Sequence, residues 1–452
     1  AVLFAEFNQE KLDTPRPPTG FVNSGFGTQQ TSNTELTTGV RKLLSIGGQM
    51  TAQTRFSRQY QDPTIFTVNE FYNADILLTL QQPLLRNFGS NVNRAQIELA
   101  RNARAEVVQD LRATLIDAVF VTEQAYWNLV LARHRLLVRQ RLLERTIKDR
   151  DQIEARQVID ATPAQLTEAN SFVGLRRVEL IRAAQDLLSA SDALKRLIYA
   201  KDLPVAGDTQ ILPVDDPVDL PIEYSMLDAI STALRYRPEL QRRLLEIQDA
   251  SIRQRVADNA RLPLLDVAAT MQINGLGDDS VDDAYDLVTE ADFVDYLIGV
   301  QFEVPIGNRG PEALFRQRQL ERKQSVLNYQ ATAQQAVVEV KDALRDIYAS
   351  YLVIGAARDT RRSAADNLRT LGDQEQAGAA LTPEFIDLKL RRQEALATAE
   401  IREMQAMTDY MTAIAQHYRT LGTLLQKNGV QFNPQVAEEF PGTSNVQPGP
   451  GD

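Results

Sequence analysis

The 452-residue chain contains no cysteine, which excludes disulfides, thiolate metal sites and cysteine nucleophiles and leaves this stretch no thiol to carry a lipid. A cysteine-free chain is compatible with an oxidising compartment. Histidine is scarce: His134 and His417 lie far apart in helical patterns, with no ligand-like spacing around either. No metal centre, acid–base pair or cofactor is therefore expected. Gly275-Leu276-Gly277 lacks the third glycine and the βαβ setting of a nucleotide loop. No window approaches 18 consecutive apolar residues, so no helix is expected to span a bilayer. Basic excess is also missing. Asp and Glu number 60 against 49 Lys and Arg, a net charge of −11, and such a surface repels a phosphate backbone, which argues against nucleic acid as a partner. The single tryptophan, Trp127, sits beside Tyr126 on a helical pattern and reads as packing. The opening Ala1-Val2-Leu3-Phe4-Ala5-Glu6-Phe7 has no basic n-region and no long apolar h-region, so it does not read as a signal peptide.

What the chain does contain is a duplication. Pro83 and Pro305 each close a short alternating segment. Asn87 and Gly89 recur as Asn308 and Gly310, and a long proline-poor helix pattern follows both. Thr162-Pro163 recurs 220 positions later as Thr382-Pro383. A strand-then-long-helix unit used twice points to an elongated or closed assembly. Residues 225–263 form a helical preface to the second unit without a counterpart before Ala1, which favours a chain that begins inside a larger precursor.

Residues 1–82 read as strands broken by Pro- and Gly-containing turns. Ala74, Ile76, Leu78 and Leu80 share one face, opposite Asp75, Thr79 and Gln81. Met50, Ala52, Thr54 and Phe56 oppose Thr51, Gln53, Arg55 and Ser57. In the second unit Leu265, Val267, Ala269, Met271 and Ile273 oppose Asp266, Thr270 and Gln272, and Tyr296, Ile298, Val300, Phe302 and Val304 oppose Gln301 and Glu303. Period-2 alternation gives each strand one apolar and one polar face. Two readings fit: a soluble sandwich with one wet face, or a membrane barrel with lipid outside and water inside.

From about 90 to 156, and from about 310 to 372, apolar residues step by three and four. Val108, Leu111, Leu115, Ala118, Thr122, Ala125, Leu129, Ala132 and Leu136 form one seam, and Val326, Tyr329, Ala333, Ala336, Val340, Leu344, Ile347, Tyr351 and Ile354 the other. Sustained seams of this kind imply left-handed coiled coils, here roughly 95–100 Å long. Return helices start at Pro163 and Pro383, each behind a threonine suited to an N-cap. The helices at 163–199 and about 238–262 would span roughly 55 Å and 37 Å, together matching one long helix, with the proline-rich stretch Lys201–Pro221 joining them at mid-height.

At this point the chain resembles the TolC-type outer membrane efflux proteins, the exit ducts of tripartite pumps and type I secretion systems. The resemblance covers nearly the whole chain. It rests on Gln82-Pro83-Leu84-Leu85-Arg86-Asn87-Phe88-Gly89 and Val304-Pro305-Ile306-Gly307-Asn308-Arg309-Gly310 at the strand–helix junctions, on Ala233-Leu234-Arg235-Tyr236-Arg237-Pro238-Glu239-Leu240, and on Ala377-Gly378 with Leu381-Thr382-Pro383. It implies a mixed α and β fold with two tandem repeats per chain: a TolC-like α-helical barrel of long coiled-coil hairpins joined to a trimeric transmembrane β-barrel. It further implies a homotrimer in the bacterial outer membrane, in contact with its lipid, with the helical tunnel in the periplasm and with a periplasmic adaptor and an inner-membrane transporter as partners. The chain departs from the pattern twice. The first hairpin has Arg156-Gln157-Val158 where a glycine is usual, and residues 1–82 are longer than the equivalent 264–304, although the family implies four strands per protomer. The surplus has room for a further strand pair, inside or outside the barrel.

The expected organisation runs from barrel strands and extracellular loops at 1–86 to a first tunnel hairpin at 87–200. A linker with mid-height helices at 201–263 leads to the second strands at 264–306, a second hairpin at 307–428 and a disordered tail at 429–452. In a barrel, Gln81, Asp266, Gln272, Gln301 and Glu303 would line a polar, slightly cation-preferring lumen. The resemblance places adaptor docking and the gate at the hairpin ends, on Asp149, Asp151, Gln157, Thr162, Pro163, Asp373, Gly378, Thr382, Pro383 and Asp387. Asp149, Asp151, Asp373 and Asp387 would form acidic rings under threefold symmetry. With Gly378 in one tip against Gln157 in the other, the second hairpin is the more typical adaptor contact. The acidic run Gly275–Asp295 reads as a solvated, self-repelling extracellular loop rather than a weak cation site, because its spacing does not match an EF-hand. The function expected is a passive duct for small molecules or polypeptides. The alternative is a structural coiled-coil or adaptor-like protein with a soluble β domain. No enzyme activity is expected.

Overall fold

The computed structural model describes residues 1–16, 27–62, 70–156, 162–278, 280–377 and 382–433. Gln157, Gly378, Asp279 and the tail beyond Asn433 lie outside the described residues. In chain order the elements are β1 (Val2–Arg16), β2 (Gly27–Leu43), β3 (Gln49–Asp62), β4 (Glu70–Pro83), α1 (Ser90–Asn93), α2 (Ala95–Ala155), α3 (Pro163–Ile198), α4 (Met226–Tyr236) and α5 (Pro238–Asn259). The second half adds β5 (Leu264–Gly277), α6 (Val281–Glu290), β6 (Val294–Glu303), α7 (Arg309–Gln376), α8 (Pro383–Leu421) and α9 (Leu424–Lys427). The chain divides into two compact units, Ala1–Arg104 with Leu245–Leu327, and Ala105–Leu244 with Asn328–Asp452. Among the described residues no helix is long and apolar enough to cross a membrane.

The first unit is built on one antiparallel six-stranded sheet in sequence order, β1-β2-β3-β4-β5-β6. The surplus at the N-terminus is therefore an additional hairpin inside the sheet, with β2 paired to β3 from Gln30–Asp62 to Leu43–Gln49. The acidic run differs from the loop that its charge suggests. Ser280 caps α6 by accepting from the Asp283 N–H at 3.3 Å, and Asp282 and Asp283 occupy the first turn, where negative charge favours a helix. Ala284 and Val288, one turn apart, are buried against Ala74 beside Phe56, Ile76 and Ile273. The seat requires glycine: a Cβ on Gly275 would lie 1.9 Å from the Ala284 carbonyl oxygen. Apolar spacing at i, i+4 and a well-placed cap thus outweigh the repulsion between the aspartates.

The second unit is helical. Val340, Ile347 and Ile354, spaced by seven, are buried on α7, the last two packing on Ala406, Tyr410 and Ile414 of α8. Leu129 and Ala132 of α2 meet Leu187 and Leu194 of α3. The proline-rich stretch after α3 is strapped onto these helices. The Ile211 N–H donates to Ser191 Oγ (3.1 Å), Lys195 Nζ to the Gly207 carbonyl (3.0 Å) and Tyr410 Oη to the Leu220 carbonyl (2.8 Å).

His417 is fully buried in this unit, its ring 4.4 Å from that of Tyr224 and 5.9 Å from that of Tyr418. Among the described residues neither ring nitrogen has a hydrogen-bond partner. Burial disfavours the imidazolium and pushes its pKa from 6.5 to about 4. The unfolded chain therefore takes up a proton in this range that the folded chain refuses, so stability is full above pH 6.5 and falls as the pH drops towards 4. The loss amounts to roughly 3 kcal/mol. Denaturant unfolding followed by helical circular dichroism checks it: His417→Phe should flatten the pH 6.5 to 4 slope, and an unchanged slope would assign the acid sensitivity elsewhere.

Candidate functional site

The registers place the five lumen candidates on one face. Asp266 stands opposite Gln301, Leu264 opposite Glu303 and Gln272 opposite Asp295, while Gln81 shares its face with Thr79 and Asp75 and donates to Asp266 Oδ2 at 3.3 Å. Nearby, Arg55 donates to Asp75 through Nε (2.9 Å) and Nη2 (2.6 Å), and Asn274 Nδ2 donates to Asp295 (2.7 Å). Glu35, Arg55, Asp75, Asn274, Asp292 and Asp295 line an open pocket on this side, in which Arg55 is the sole cation. The other face is apolar. One row crosses all six strands as Leu3–Val40–Ala52–Leu78–Met271–Tyr296. Leu3 and Tyr296 at its ends are 83% and 74% exposed, and Ile298, Val300 and Phe302 continue the band on β6.

The strand–helix junctions are real structural repeats. Pro83 ends β4 and Pro305 follows β6. Asn87 and Asn308 both take left-handed backbone, with φ 65° and 33°, a region that asparagine tolerates better than most residues. Both grip the segment between α5 and β5: the Asn87 N–H donates to Asn259 Oδ1 at 2.7 Å, and Asn308 Nδ2 donates to the Arg261 carbonyl at 2.9 Å. Arg261 in turn pairs with Glu312 at 2.9 Å and stacks on Phe315. The glycines are less equivalent. Gly89 has φ 102° and donates its N–H to the Ile46 carbonyl (3.0 Å), whereas Gly310 lies in the first turn of α7 and the positive φ belongs to Gly307. Asn259 and Arg261 have no copy in the other repeat, so the duplication gave no signal for them.

At the hairpin ends Thr162 forms a capping box: its Oγ1 accepts from the Gln165 N–H (3.4 Å), and its own N–H donates to Gln165 Oε1 (2.6 Å). Thr382 caps α8 through the Phe385 N–H at 3.3 Å, and Pro163 and Pro383 each take the first helical position. The four tip aspartates are not alike. Asp149 binds Lys389 Nζ at 2.8 Å and accepts from Gln393 at 2.7 Å, and Lys389 also binds Glu375 at 2.7 Å. Asp151 pairs with its neighbour Arg150, Asp387 with Arg391 at 2.8 Å, and Asp373 is exposed. Ile153 and Ala169 of the first hairpin pack with Ile386 and Leu390 of the second. Further along, Arg139 and Arg176 are shared between Glu179 and Glu394, at 2.6 to 3.2 Å. Sequence reading missed Lys389, Glu375, Gln393 and this four-residue lattice, because the partners lie far apart in the chain.

No family model matches the chain, and no curated protein sequence does. Solved structures do. A membrane protein from Pseudomonas aeruginosa is 19% identical with a TM-score of 0.63, over 83% of this chain and 85% of that one. The Campylobacter jejuni CmeC outer membrane channel is 16% identical with a TM-score of 0.61, over 96% and 80%. The open state of the Neisseria gonorrhoeae MtrE outer membrane channel is 18% identical with a TM-score of 0.62, over 86% and 83%. Together with the six-stranded sheet and the paired long helical hairpins, these similarities give the chain the TolC-like fold of outer membrane channels.

Proposed function

We propose that this chain is a passive exit duct in the bacterial outer membrane. Copies of it pool their sheets into one barrel, and their helices form a tunnel in the periplasm. The observation that carries this reading is the two-faced sheet, with an apolar row across all six strands on one side and Gln81, Asp266, Gln272, Gln301 and Glu303 on the other. That pattern suits lipid outside and water inside. A soluble β domain would leave the band from Leu3 to Tyr296 in water at a large cost in apolar exposure.

In the finer reading the hairpin ends receive a periplasmic adaptor, and an inner-membrane transporter supplies small molecules or polypeptides. Passage involves no bond chemistry. The Asp149–Lys389–Glu375 link is the element to be displaced on opening. Burial lowers the Lys389 pKa, but the hydrogen bonds that its ammonium donates to Asp149 and Glu375 outweigh it and the net shift is upward from 10.5. Lys389 therefore stays charged at every pH below about 10.5 and loses its charge only above that. Mild base would leave the lysine charged, and in this reading opening comes from mechanical engagement of the tips.

Two measurements test these statements. Protein purified in detergent and placed in planar bilayers should show discrete conductance steps, and a chain that stays monodisperse in water without detergent and never conducts would refute the duct. Lys389→Met leaves Asp149 and Glu375 facing each other without a cation and should weaken the tip by about 1–3 kcal/mol, read as a several-fold rise in the open fraction of single-channel records. An open fraction equal to that of the unaltered protein would remove this link from the gate.

A further inference from the structure

Among the described residues the sheet of one chain has two free edges, β1 and β6, and both carry the apolar band to its end: Leu3 and Phe7 on β1, and Tyr296, Ile298, Val300 and Phe302 on β6, are each more than 60% exposed. Lys11 and Pro15 of β1 are residues that blunt a sheet edge, but they lie towards the far end of the strand, and the polar-face charges Glu6, Asp295 and Glu303 leave the apolar band on the other face exposed. In lipid such an edge has no water to satisfy its N–H and C=O groups and must be paired.

The N-terminal hairpin decides how. It could hang outside the barrel, leaving β3–β6 as the wall, or it could be part of the wall. Its register is continuous with β3, and its side chains obey the alternation of the sheet. Leu3, Phe7, Leu36 and Val40 prolong the apolar rows that reach Met271 and Gly275, whereas Glu6, Asn8, Glu35 and Thr37 prolong the polar face. Phe4, the aromatic exception on the polar face, is shielded there: its ring packs against the backbone of Gly39, where a Cβ would lie 2.8 Å from Cζ, and the Arg41 guanidinium lies 5.3 Å from its centroid. A hairpin meant for water has no use for an outward row of this kind.

On this basis, and resting on the duct reading above, we infer that the hairpin is a wall element and that the occupant of each free edge is a second copy of this chain, β6 of one copy pairing with β1 of the next in an eighteen-stranded trimeric barrel. The strand count permits it. Six strands alternate up and down, so β6 runs opposite to β1 and the junction between copies is antiparallel like every other pair. Apolar faces stay in register when even-numbered β6 residues meet odd-numbered β1 residues. Eighteen strands about 4.8 Å apart and tilted about 40° enclose a backbone diameter of roughly 36 Å, against roughly 24 Å for twelve. The barrel is then a wide aqueous pore, and selection of what passes falls to the helical part.

The absence of native cysteine makes the test direct. Single cysteines at Leu3, Ala5, Phe7 or Gln9 are combined with single cysteines at Tyr296, Ile298, Val300 or Phe302 in the full chain, oxidised in the membrane and resolved without reductant. The expected result is a ladder of covalent dimers and trimers for one register set. The competing set joins the same β6 positions to Met50, Ala52, Thr54 or Phe56 of β3. Cross-links there mean a twelve-stranded wall with the hairpin outside, which overturns the inference and leaves the duct standing. A trimer by native mass with links to neither edge also overturns it. A monomer by mass with no links overturns the inference and the duct reading together.

Discussion

A backbone N–H or C=O in hydrocarbon has no water to bond, and each one left unpaired costs several kcal/mol. The first unit is organised around that constraint. Among the described residues every interior strand of its sheet is paired with a neighbour on each side over most of its length, and most of the unmet demand is concentrated on two edges. In the duct reading proposed above, one chain would be an incomplete object in lipid, and assembly would be a condition of insertion rather than an addition to it. The exposed band on β1 and β6 follows from the same logic. Surface that would be an aggregation hazard on a soluble protein is, in a wall element, the part that meets acyl chains.

The acidic helix α6 sets where that wall can begin. It sits on the apolar side of the sheet, over Ala74, Gly275 and their neighbours, and carries Asp282, Asp283, Asp286 and Glu290, which cannot be placed in hydrocarbon. On β4 the residues Ala74 and Ile76 lie under it, and the strand continues beyond it from Leu77 to Pro83. In the duct reading proposed above, this helix would mark a water boundary. At the opposite end of the strands the boundary is fixed by Asn87 and Asn308, whose left-handed turns redirect the chain into helices while both hold the segment around Asn259 and Arg261. A substitution that cannot adopt this backbone would strain the turn, which explains why the repeated feature is asparagine rather than merely a polar residue.

Features that depend on local periodicity were open to reading from the chain alone. The two-faced strands, the seven-residue spacing of Val340, Ile347 and Ile354, and the Thr-Pro starts of α3 and α8 all declare themselves within a few residues. Features that depend on long-range pairing were not. The hairpin β1–β2 could be counted but not placed, because an alternating strand looks the same inside a wall and outside it. Helix α6 was hidden by its own charge: eight acidic residues between Gly275 and Asp295 dominate any reading by composition, and the short Ala284–Val288 stripe that seats the helix is visible only against the glycines it packs on. At the tips the aspartates were noticed as a class, but their partners lie up to about 240 residues away. Of the four, Asp149 is the one held from both sides, by Lys389 and Gln393.

That difference bears on how the hairpin ends can move. Duplication copied the backbone of the hairpin but not its electrostatics, and the ties it acquired run between the two hairpins of one chain. Separating them would break Lys389 from Asp149, pull Arg139 and Arg176 of the first hairpin away from Glu394 of the second, and expose the cluster of Ile153, Ala169, Ile386 and Leu390. Arg176 is almost wholly buried, so stranding it beside an incomplete set of carboxylates is more costly than breaking a surface pair. Within one chain, then, the less costly displacement keeps the hairpins together as a block. In the duct reading proposed above, a partner wedging against the tips would then act at the boundaries between one chain and the next.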